Sequence, residues 1–153
     1  STYEQNALIK AKALSKKVNI SVMADDSGLE IVSLNNGPGL KSARYAEEKG
    51  GHNNAMKAIL EKIEGKDRSA RFVCSIVYID ENKKEHVFYG ASNGHISTFI
   101  HPGQGFGYDP IFVPDEYEDK AFSELGNDIK NKISHRARAL LNLVNYLKTL
   151  QSI

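Results

Sequence analysis

Apolar residues recur at helical spacing near the start of the chain, at Ala7, Ala11, Leu14 and Val18, and predict an amphipathic helix over 3–17. Thr2, followed three residues later by Gln5, has the form of a capping box at its N-terminus. Residues 20–24 read as a strand that ends on Asp25, Asp26, Ser27 and Gly28, and the alternation over 29–34 reads as a second strand. The run Asn-Asn-Gly-Pro-Gly at 35–39 is a strong turn signal. Ala55, Ile59, Leu60 and Ile63 predict a helix over 52–64, with Gly65 just past its end. Strands are predicted over 70–79 and 86–91 around a polar hairpin turn, and 93–100 can continue the sheet. A glycine-rich loop at 101–110 precedes a short apolar stretch at 111–113. A long closing helix carries Ala137, Leu140, Leu141, Val144 and Leu147 as its expected apolar face.

This order of elements contains both hairpins and crossover helices, and it points to an α/β fold with a mixed β-sheet flanked by helices. No strand is followed by G-x-G-x-x-G opening a helix, so a dinucleotide fold is not expected.

Composition narrows the function classes. The 153 residues suit one domain with a sizeable core, and 41% hydrophobic with 25% charged residues is ordinary for a globular protein. The net charge is +1 and both signs are spread along the chain, which argues against a nucleic-acid-binding stripe. An anionic ligand must then be held locally, by a few side chains and backbone amides. The single cysteine, Cys74, lies in an apolar run and reads as a buried thiol. The longest apolar runs fall far short of a membrane span, no signal-peptide pattern opens the chain, and a cytoplasmic protein with no membrane partner is expected.

Three stretches could carry chemistry. The first is Asp25-Asp26-Ser27-Gly28, read as a strand end. Side chains alternate along a strand, so the two aspartates should point different ways. One could bind Mg²⁺ or orient a water while the other faces structure, although the same residues also make an ordinary turn. The second is the 102–110 loop, where three glycines alternate with larger residues and Phe106, Tyr108 and Asp109 could receive a nucleobase by stacking and hydrogen bonding. Phe and Tyr are usually core residues, so its aromatics could instead be tucked into the core. The third is 130–136, where Lys130, Lys132, His135 and Arg136 crowd the start of the last helix behind Ser134, a plausible N-cap. Such a helix start suits an anion or a carbonyl oxygen, or it is a solvated charged end. There is no Walker-type phosphate loop and no H-E-x-x-H, and His52, His86, His95, His101 and His135 are too dispersed for a zinc motif. A carboxylate, an aromatic glycine loop and a cationic helix start together fit a nucleotide.

The stretches TYEQNALIKAKA, ADDSGLEI, PGLKSARYA, ARFVCSIVY, GFGYDPIFVP and KNKISHRARAL resemble, in order and spacing, the inosine-triphosphate pyrophosphatase family. The resemblance runs from Thr2 to about Leu147, and ADDSG, GFGYDP and ISHR in that order are highly specific together. It implies Mg²⁺-dependent cleavage of inosine, deoxyinosine and xanthosine triphosphates to the monophosphate and pyrophosphate, usually by a homodimer. It implies that Asp26 is the metal-associated catalytic carboxylate, that Ser27 contacts substrate and that Lys10 neutralises phosphate charge. Phe106, Gly107, Tyr108 and Asp109 would form the base pocket, and Lys130, His135 and Arg136 would bind substrate, the last two near the 6-keto edge. A buried donor aimed at that oxygen would reject adenine strongly.

Family members usually open with a strand, a T/S-x-N-x-x-K phosphate loop, a further helix and strand, and a metal-binding glutamate. None of these precedes Thr2 here, and Gln5 stands where many members have glutamate. The expectation is therefore a single domain over 1–153 with a central twisted mixed sheet, its first strand and helix missing. A nucleotide-binding form that lacks the phosphate loop and does no chemistry is the alternative.

Overall fold

Thr2 Oγ1 accepts a hydrogen bond from the backbone N–H of Gln5 (3.0 Å), so the first helix starts where its capping signal lies, in a computed structural model that describes residues 2–151. Helix α1 covers Tyr3–Ser15. The helices that follow are α2 at Ser42–Glu48, α3 at His52–Lys62, α4 at Asn127–Ile133 and α5 at His135–Gln151. The strands are β1 at Val22–Ile31, β2 at Gly37–Pro38, β3 at Ser69–Ile79, β4 at Glu85–Ile96 and β5 at Phe112–Pro114. They form one sheet in the order β2-β1-β3-β4-β5.

The α/β class is as expected. The sheet, however, is antiparallel rather than mixed among the described residues: β1 pairs antiparallel with β2, β4 pairs antiparallel with β5, and β3 returns through a hairpin into β4. A second difference concerns the aspartates. The turn expected at 25–28 does not form, because β1 runs unbroken through it. Asp25, Asp26 and Ser27 are half-buried strand residues, and the two aspartates have partners on neighbouring helices, tertiary contacts that override the local turn preference. Helices α2 and α4 are further additions to the sequence reading.

The chain folds into two compact units, each assembled from separate segments. The first comprises 1–27, 73–91 and 134–153. Here β3 alternates strictly: Val77 and Ile79 pack against Ala7 and Ala11 of α1, while Cys74 and Ile76 pack against Ala139 and Leu143 of α5. The two helices therefore cover opposite faces of one strand. The inward face of α5 also differs from the expected one. Leu140, Leu141 and Val144 are exposed, and the buried stripe is Ala139 and Leu143, flanked by polar residues that serve β4. Arg138 donates to the carbonyl of Ala91 (2.9 Å) and Asn142 to that of Tyr89 (2.8 Å).

The second unit comprises 28–72 and 92–133. Leu29, Ile31, Ile59, Ile63, Phe72, Ile96, Phe112 and Phe122 form its core. Phe72 packs on Phe112 and Phe122 with ring centroids 4.6 and 5.7 Å apart. Among the described residues, no helix is long and apolar enough to cross a membrane.

Candidate active site

In the first unit, β1 presents its two neighbouring aspartates to different helices, as strand alternation requires. Asp25 meets α5: Arg136 Nη2 donates to its Oδ2 at 2.8 Å, and Cys74 Sγ lies 3.9 Å from the same oxygen. Asp26 meets α1: Asn6 Nδ2 donates to its Oδ2 at 3.1 Å. Lys10, one helical turn after Asn6, donates from Nζ to the main-chain carbonyl of Asp25. The charges are thus treated differently. Asp25 is paired with a guanidinium, whereas among the described residues Asp26 has a neutral amide on one of its oxygens and no ion-pair partner.

Burial pushes the Cys74 thiol up to about 11, with the Asp25 carboxylate acting in the same direction and Arg136 against it. Cys74 is therefore a protonated core residue at neutral pH. Ser27 follows Asp26 in the strand, half-buried. Ser134 caps α5, with its Oγ accepting from the N–H of Ala137 at 3.1 Å, and this places His135 and Arg136 on the first turn.

In the second unit, the 101–110 loop is clamped at its base. The N–H of His101 donates to the carbonyl of Pro110 (2.9 Å), and Ser123 Oγ donates to the carbonyl of His101 (2.9 Å). At the loop's tip the backbone folds on Asp109, whose Oδ2 accepts from the N–H of Phe106 at 3.3 Å and from Lys130 Nζ at 2.7 Å. Gly107 takes φ +63°, a left-handed conformation that glycine adopts without strain. Phe106 is 71% exposed, with the Lys130 ammonium 5.2 Å from its ring centre. Tyr108 is 5% exposed and belongs to the core. Its hydroxyl donates to the carbonyl of Ser42 (2.6 Å), its ring meets His52 edge-on at 5.0 Å, and burial pushes the phenol up to about 12. Of the two aromatics, only Phe106 offers a free face for stacking. Tyr108 anchors the loop.

The structure thus brings Lys10, Asp26, Ser27, His135 and Arg136 into one unit, and Phe106, Gly107, Tyr108, Asp109 and Lys130 into the other. The residue pattern of the Ham1 family matches residues 1–146. The chain belongs to the Ham1 family. It is 44% identical over 153 residues to a dITP/XTP pyrophosphatase of Staphylococcus epidermidis, covering 99% of this chain and 78% of that protein. It is 45% identical over 156 residues to a dITP/XTP pyrophosphatase of Treponema denticola, covering 97% and 78%. Among solved structures, the Ham1 protein of Staphylococcus aureus superposes with a TM-score of 0.89 at 40% identity, covering 97% of this chain and 78% of that one. A HAM1 protein from Coxiella burnetii gives 0.87 at 37% identity, with the same coverage.

For this Ham1-family chain, sequence reasoning missed three partners: Asn6 on Asp26, Arg136 on Asp25, and His52 against Tyr108. Only the first had a local signal, since Asn6 and Lys10 stand four apart and so share a face of α1.

Among the described residues, no group of three or more His, Cys, Asp or Glu gathers where a metal could bind. Among the described residues, the Asp26 carboxylate has no ion-pair partner and could serve a cation. That fits Mg²⁺, which typically arrives with substrate phosphates and takes one or two protein carboxylates.

Proposed function

We propose that the chain hydrolyses non-standard purine nucleoside triphosphates, the deoxyinosine, inosine and xanthosine triphosphates, to the monophosphate and pyrophosphate. The observation that carries this reading is the contrast between the two aspartates: Asp25 is ion-paired with Arg136, and its neighbour Asp26 has a neutral amide partner and, among the described residues, no ion pair. The activity by which the relatives are named, dITP/XTP pyrophosphatase, agrees with it.

In this reading Asp26 orients a water and accepts its proton as the water oxygen bonds to the α-phosphorus. The bond from that phosphorus to the bridging oxygen breaks, and pyrophosphate leaves with the electron pair. Lys10 and Ser27 would contact the phosphates. Mg²⁺, held by Asp26 and the substrate, would neutralise phosphate charge. Phe106 would stack on the base, and the backbone at Gly107 and Tyr108 would approach its edge. Asp109 and Lys130 would supply the acceptor and the donor beside it. His135 and Arg136 would read the 6-keto oxygen, a contact that disfavours adenine. We further place the enzyme in the cytoplasm as a homodimer, a state that light scattering on the purified protein would check.

The test is pyrophosphate release from inosine triphosphate, with and without Mg²⁺, by the wild type and by Asp26→Asn. We expect metal-dependent turnover that Asp26→Asn abolishes while the melting temperature holds. Binding of inosine monophosphate without turnover, or equal use of adenosine triphosphate, would count against the reading.

A further inference from the structure

Asn6 is the one described side chain that holds Asp26. Its Nδ2 donates to Oδ2 at 3.1 Å, and both residues are half-buried. The arrangement depends on how closely α1 approaches the sheet. Ala7 and Ala11, fully buried against Val77 and Ile79, are small enough to let the helix lie low. Only then does a side chain as short as asparagine reach the strand. One turn on, Lys10 binds the carbonyl of Asp25, so α1 grips the two-aspartate step of β1 at two consecutive points.

The chemical nature of the partner matters. A lysine or arginine at position 6 would orient the carboxylate and also cancel its charge, as Arg136 does for Asp25. An amide orients it and leaves the charge available to a cation or a proton. By occupying Oδ2 it also leaves Oδ1 as the oxygen with no protein donor among the described residues.

We infer that Asn6 is a positioning residue for the reaction: its side-chain amide fixes the rotamer of Asp26 without neutralising it, and so aims the second carboxylate oxygen at the water or cation it serves. This rests on the role proposed above for Asp26.

Two measurements test it. In steady-state kinetics on inosine triphosphate with Mg²⁺, Asn6→Ala should lower kcat roughly tenfold to a hundredfold, the worth of a hydrogen bond to a charged group, with KM held within about a factor of two. Asn6→Asp should be worse than Asn6→Ala, because it sets a like charge against Asp26. A merely structural role would make the loss follow melting temperature instead of this order. The second measurement uses the ¹⁵N-labelled intact chain and needs no position-6 variant to be active. The side-chain amide signal of Asn6 should move on Asp26→Asn substitution far more than the signals of the other asparagines. Wild-type kcat in Asn6→Ala, an effect on KM alone, or an Asn6 amide indifferent to residue 26 would each overturn the inference. If Asp26→Asn is inactive while Asn6→Ala is normal, only this inference fails. If Asp26→Asn is fully active, the functional reading of Asp26 fails first.

Discussion

At the scale of single residues, burial separates groups that look alike in sequence. Phe106 and Tyr108 stand two apart in one loop, yet the first is open to solvent and the second is core. Phe106→Ala should therefore leave the melting temperature unchanged and raise KM for inosine triphosphate roughly five- to hundredfold, in line with about 1–3 kcal/mol for base stacking. Steady-state kinetics and a thermal melt on the same preparation would check both halves. Lys130 is the opposite case. Its partner Asp109 is only 7% exposed, so Lys130→Ala strands a buried carboxylate. Urea unfolding should show a loss of about 3–5 kcal/mol, the usual cost of breaking a buried pair from one side. The sequence showed that the loop and the 130–136 segment held apt chemistry. It could not show which aromatic faced inward, because that depends on Ser42 and His52, far away in the chain.

At the scale of elements, local patterns placed most helices and strands and misjudged two faces. The 25–28 run has turn chemistry but lies within β1, since its polar side chains are met by α1 and α5. Of the expected apolar face of α5, Leu140, Leu141 and Val144 are exposed and Leu147 packs inward beside Ala139 and Leu143, while Arg138 and Asn142 donate to carbonyls of β4. The contact between α5 and β4 is very close at Gly90, where an added Cβ would lie 2.3 Å from both the Ala139 nitrogen and the His135 oxygen. Gly90→Ala must push α5 away from the strand. We expect a loss of about 1–3 kcal/mol in chemical denaturation, as for overpacked sites generally, and a fall in turnover, because Arg136 rides on the same helix turn. Full stability in that variant would show that the helix tolerates the displacement.

At the scale of the whole molecule, pH dependence sums groups from many places. Asp67 is held below the usual carboxylate range by the Ser69 backbone N–H, then by its hydroxyl. Asp80 is held low chiefly by His86, and Glu124 by the Ala121 backbone N–H. A depressed folded-state value means stability that is present above the unfolded carboxylate range and lost as pH falls through the lowered one. Cys74 and Tyr108 act at the other end. Cys74 rises from 9.0 to about 11 and Tyr108 from 10.0 to about 12, so their contributions are full below pH 9 and disappear as pH climbs through those raised values. Melting temperature should thus be level near neutrality, fall on acidification below the carboxylate range, and fall again above pH 9. Thermal melts across that range would check it. The division of the chain into two units, which cuts β1, β3 and β4 each in two, was not legible in the sequence. Hydrophobic periodicity reports which way a side chain points, and it is blind to a change of neighbours midway along a strand. By itself the sequence determined the α/β class, the capped first helix, the alternation that turns Asp25 and Asp26 to different sides, and the family to which the chain belongs. These depend on local spacing and on residue identity, which the linear chain carries in full. Only the tertiary structure decided which aspartate is neutralised, which aromatic is free and which face of α5 is buried. Each of those depends on a partner distant in sequence, and no local pattern specifies that meeting.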